Sequence, residues 1–130
     1  MIRAGHHEIS RFCTTFFPST RRETFLEACG IGDLLLSCLV GRGQKLAEAF
    51  VLQRQRGGSS PKGWAQLENE LLNGMKIPDW HNIQDVHAFL RSRGATHQYP
   101  LIDAIYRVSF EDAPAEAVVE ALRAQRGGEE

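Results

Sequence analysis

Residues 31 to 39, IGDLLLSCL, are apolar almost all round apart from Asp33 and Ser37, with glycines at 30, 32, 41 and 43 around them. A helix with so little polar surface has no natural solvent face, so the spacing predicts a central, buried helix with the rest of the chain packed around it. On that helix Asp33 and Ser37 stand at i and i+4 and share a face. Polar groups in apolar surroundings must find partners. If the helix is buried, Leu35→Ala should cost ~2–5 kcal/mol. Gly41 and Gly43 free the backbone on both sides of Arg42, whose planar fork suits a phosphate or a carboxylate. A plainer reading of the same residues has Asp33 capping a buried helix, Arg42 ending it and the glycines serving as turns.

The remaining segments carry helical spacing. Ile2, Ile9, Phe12, Cys13, Phe16 and Phe17 suit a helix that Pro18 stops. A short helical turn from Thr20 or Glu23 ends near Gly30, where glycine can take a left-handed cap. Leu46, Ala47, Ala49, Phe50 and Val51 predict a helix over 44–55, and 57–63 is an exposed loop. Trp64, Leu67, Leu71 and Leu72 point inward from a helix over 64–73, closed by Gly74. Lys76 and Pro78 then lie in an irregular connector. Asp79 or Asn82 caps a helix carrying Ile83, Val86, Phe89 and Leu90 inward; Pro100 opens another through Phe110; and Asp112 caps a last one over 114–125. No strand alternation occurs, so the fold class is all-α, an irregular multi-helix bundle over residues 1–126 with a disordered tail at 127–130.

Composition excludes several functions. A net charge of −1 over 130 residues gives no global attraction to nucleic acid or anionic membrane. No apolar run approaches the ~20 residues of a membrane span, and MIRAGHHEIS lacks the apolar region of a secretory signal. The three cysteines, Cys13, Cys29 and Cys38, have no metal spacing and read as buried reduced thiols. None of the five histidines pairs with another at i, i+4, so no metal site is expected.

Several ordered blocks resemble a known family. Glu27-Ala28-Cys29-Gly30-Ile31-Gly32-Asp33-Leu34, Val40-Gly41-Arg42-Gly43 and Lys45-Leu46-Ala47-Glu48-Ala49-Phe50 are followed by Glu70-Leu71-Leu72-Asn73-Gly74-Met75-Lys76 and Tyr99-Pro100-Leu101-Ile102-Asp103-Ala104-Ile105-Tyr106. Together with Ile2-Arg3 and Phe16-Phe17-Pro18, they make the chain similar, from about residue 2 to residue 123, to the C-terminal, substrate-binding domain of eukaryotic-type NAD-dependent glycerol-3-phosphate dehydrogenases.

The resemblance implies an all-α domain for which Arg42 contacts the substrate phosphate and the dinucleotide. Asp33 supports the catalytic lysine and the glycerol hydroxyls, Ser37 stands where the family has threonine, and Lys76 touches the dinucleotide. Gly43 stands where the family has a phosphate-site asparagine, and Pro78 where it has a cofactor-contacting glutamine. The residues present contain no G-x-G-x-x-G turn in a βαβ setting, so the Rossmann-type half that binds NAD is not among them. The family's catalytic lysine precedes the segment matching Ile2-Arg3. Implied partners are dihydroxyacetone phosphate or glycerol 3-phosphate, a dinucleotide-binding domain in cis or in trans, and a possible homodimer or larger assembly, in the cytoplasm or an organelle. The alternative is a non-catalytic relic of the domain, kept as a structural or interaction subunit.

Overall fold

The computed structural model describes residues 1–57 and 61–127, with side chains through Gln125. The described residues form the helices α1 Ile2–Phe16, α2 Asp33–Val40, α3 Arg42–Gln55, α4 Trp64–Leu71, α5 Asp79–Ser92, α6 Pro100–Phe110 and α7 Glu116–Gly127, and no strand. The all-α expectation therefore holds. Positions 58–60 of the expected loop and 128–130 of the expected tail lie outside the described residues.

Two apolar clusters hold the helices together. In the first, Leu46 and Phe50 of α3 meet Leu67 of α4 with Leu72 and Ile77, and Trp64 stacks on Phe50 with ring centroids 3.9 Å apart. In the second, Leu90 of α5 and Ile102 of α6 pack with Ala95 and Tyr99 under Phe12 and Phe16 of α1. Pro100 opens α6 as expected, its fixed φ suiting the first helical position. Gly74 and Gly94 take φ of +78° and +62°, the left-handed conformation that ends α4 and α5 and that lacks a penalty only for glycine.

Several details differ from expectation. The helix predicted to be central lies at the surface: Leu36 is 62% exposed, and Leu39 and Val40 are each 68% exposed. Helix α2 packs on α3, on α1 and on the preceding turn, and among the described residues its outer face is left exposed. Leu35, 40% exposed, has no enclosed cavity to leave behind, so Leu35→Ala is expected to cost under ~1 kcal/mol in this chain, read from urea midpoints. Cys29 and Cys38 are exposed rather than buried, while Cys13 is half-buried and its thiol pKa is raised by that burial.

Ile9, Phe17 and Leu71, expected inward, are exposed, while Phe12 and Phe16 pack on the second cluster and Leu72 is buried in the first. Gly30 has no left-handed φ. A Cβ there would lie 2.6 Å from the Phe25 backbone, so close approach accounts for the glycine. Asp112 does not cap α7; it sits at φ +55° and binds Arg54 at 3.0 Å.

Two buried carboxylates organise the bundle, and the sequence reading passed over both. Glu8 of α1, 2% exposed, accepts the Leu101 and Ile102 N–H groups at 2.8 and 2.9 Å and the side-chain amide of Gln125. It thereby satisfies the unpaired first-turn donors of α6 and ties α1, α6 and α7 together. Burial, the largest influence, outweighs these bonds and raises its pKa. Glu68 of α4, with no exposed surface, plays the corresponding part for the connector between α4 and α5.

Candidate functional site

The site forms where the first turn of α3 meets the connector over residues 72–78. Gly41 is both the end of α2 and the residue before α3. Its N–H donates to the Ser37 carbonyl at 3.1 Å, and a Cβ there would overlap that same carbonyl. Because only glycine permits this closeness, α3 starts at once, and Arg42 is its first residue rather than the end of the preceding helix.

The connector is fixed by Glu68. Its carboxylate accepts the Ile77 N–H at 3.0 Å, the Trp80 indole N–H at 3.0 Å and the Lys76 ammonium at 3.2 Å. The Ile77 N–H bond is the largest cause holding the Glu68 pKa below its ordinary value, with Trp80 and Lys76 adding to it against the effect of burial. Held this way, Met75 presents its sulfur 3.6 Å from the Arg42 guanidinium, and Ile77 and Asp79 stand over Gly43. Pro78 directly precedes α5, which begins at Asp79 without a side-chain cap.

Arg42, Gly43, Lys76 and Pro78, widely separated in sequence, are thus gathered on one edge. Arg42 and Lys76 keep their charged ends at the surface, Lys76 with 71% of its side chain exposed. Asp33 and Ser37 are exposed on α2, one element away. Among the described residues no hydrogen bond or ion pair joins them to Arg42 or Lys76. The residues that sequence reasoning missed are Glu68, which sets the connector, and Asp79, read only as a cap. A buried acid could have been inferred from an irregular connector whose donors need an acceptor.

Chemically, the edge offers two cations, the unpaired first-turn N–H groups of α3 and no metal cluster among the described residues. Such a set suits a phosphorylated ligand.

Comparison with known proteins identifies the family. The family described as the NAD-dependent glycerol-3-phosphate dehydrogenase C-terminus matches residues 1–120. Glycerol-3-phosphate dehydrogenase [NAD(+)] 1 of Schizosaccharomyces pombe is 37% identical over 123 residues, covering 95% of this chain and 30% of that protein. The cytoplasmic Bos taurus glycerol-3-phosphate dehydrogenase is 36% identical over 124 residues, covering 95% of this chain and 34% of that one. Among solved structures, that of the Dunaliella salina protein DsGPDH superposes with a TM-score of 0.87 at 32% identity, covering 92% of this chain and 20% of its own. The Plasmodium falciparum glycerol-3-phosphate dehydrogenase gives a TM-score of 0.81 at 28% identity, with 92% and 32% covered. The chain spans about a third of the length of the curated relatives it matches. It belongs to the family of C-terminal domains of NAD-dependent glycerol-3-phosphate dehydrogenases.

Proposed function

We propose that this domain supplies the substrate-binding part of an enzyme that interconverts dihydroxyacetone phosphate and sn-glycerol 3-phosphate. The observation that supports this most is the gathering of Arg42 and Lys76 on one edge beside the first turn of α3. In this reading Arg42 grips the substrate phosphate through its fork and reaches the dinucleotide. Lys76 steadies the dinucleotide, and Asp33 and Ser37 face the glycerol hydroxyls and the lysine supplied from elsewhere. The two exposed cations fit a pyrophosphate-bearing cofactor. When NAD is bound it supplies the hydride chemistry.

The dinucleotide-binding half, in cis or in trans, is proposed to cover the apolar face of α2 formed by Leu36, Leu39 and Val40, a patch that otherwise favours association. We extend to this chain the cytoplasmic location printed in the relatives' names. A second reading, a non-catalytic relic in a larger assembly, draws support from Gly43, which offers no side-chain amide, and from Pro78, which offers neither a side-chain amide nor a backbone donor.

The 130-residue chain alone is expected not to oxidise NADH with dihydroxyacetone phosphate, since its residues include no dinucleotide fold. Grafted in place of the matching segment of the Schizosaccharomyces pombe relative, it is expected to give substrate-dependent NADH oxidation. Folded hybrids without turnover would favour the relic.

A further inference from the structure

Gly43 lies in the first turn of α3, and a Cβ added to it would collide with the Asp79 carboxylate, whose carbon lies 3.3 Å from that position. Asp79 therefore fills the space that any side chain at position 43 would take. Its negative charge lies beside the first turn of α3, whose N–H groups have no intrahelical acceptor and form the positive end of the helix dipole. Asp79 is also the first residue of its own helix, α5.

The cations nearby do not neutralise it. The Lys76 ammonium is paired with Glu68 at 3.2 Å, and the Arg42 guanidinium is turned to the neutral sulfur of Met75 at 3.6 Å. A phosphate drawn toward Arg42 and the start of α3 meets a like charge already seated beside the same backbone, a repulsion felt strongly at such range.

We propose that Asp79 is a specificity-determining residue that occludes this site: its carboxylate occupies the start of α3 in place of a ligand's phosphate, and Gly43 is the space that admits it. The inference rests on the reading of Arg42 as a phosphate ligand, which it deepens. A phosphate ester binds only as Asp79 swings outward, whereas a ligand presenting a hydroxyl there meets no repulsion.

The test is titration of the 130-residue chain with inorganic phosphate, followed by amide NMR. Asp79→Asn keeps the shape and removes the charge, so affinity for phosphate should rise about tenfold. Gly43→Ala, which adds a helix-favouring methyl group and evicts the carboxylate, should shift affinity the same way. Adding Arg42→Ala to Asp79→Asn should abolish the gain. If wild type and both variants bind phosphate equally and Arg42→Ala alone removes binding, Asp79 does not occlude the site, while the phosphate reading of Arg42 stands. If no variant binds phosphate, the inference and that reading both fail.

Discussion

Glu68→Ala is expected to destabilise the chain by about 3 kcal/mol at neutral pH, because the buried Ile77 N–H and the half-buried Trp80 indole N–H lose the same acceptor at once. The Ile77 N–H and the Trp80 indole N–H both end on this carboxylate, and the Lys76 ammonium joins it from the surface. Lys76 can turn to water when Glu68 is removed; the buried Ile77 N–H cannot. The loss should depend on pH with a definite sign. The folded-state pKa of Glu68 is lowered, chiefly by the Ile77 N–H, so its contribution is complete above the carboxyl pKa of the unfolded chain, ~4.3. It is lost as pH falls through the folded value, and the gap between wild type and variant should narrow in acid.

Glu8 predicts the opposite trend. Its folded pKa is raised by burial, so its titration-linked contribution is present below the unfolded value and lost as pH rises through the folded one. Relative to Glu8→Gln, the wild type should accordingly gain stability as pH falls. Urea unfolding at neutral and acidic pH checks both signs. A Glu68→Ala loss under ~1 kcal/mol, or one that grows on acidification, would mean that Glu68 does not hold the connector.

Local punctuation was legible because its causes are local. Pro100 cannot sit deep in a helix and so opens α6, and Gly74 and Gly94 are the residues that left-handed helix ends tolerate. The depth of α2 was misread for a general reason. An apolar stretch such as LLLSCLV states that its surface seeks a cover, but periodicity does not state which part of a protein supplies it. Among the described residues nothing covers Leu36, Leu39 and Val40.

Glu8 and Glu68 escaped because a lone acid in a helical segment ordinarily faces water, and their partners lie far along the chain, at Leu101 and Ile77. Arg42 stood out by its flanking glycines, whereas Lys76 and Pro78 were reachable only through the family resemblance. Arg42 and Met75 are separated by 33 positions, and no spacing rule brings them together. Asp79 looked like a helix start, which it is, and its approach to Gly43 depends on how the connector folds back over α3.

The central claim, that Arg42 at the start of α3 holds the substrate phosphate, is tested most directly by Arg42→Lys in the hybrid enzyme carrying this domain. Lysine keeps one positive charge and most of the length, so folding should be unchanged. It replaces a bidentate fork by a point charge, and the difference falls on an interaction that orients the phosphate during reaction. The expected result is a loss of about 100-fold in kcat/KM for dihydroxyacetone phosphate, equivalent to ~2.7 kcal/mol of transition-state stabilisation, with the NADH affinity changed much less. Unchanged kcat/KM in a hybrid that turns over would contradict the account and place the phosphate elsewhere.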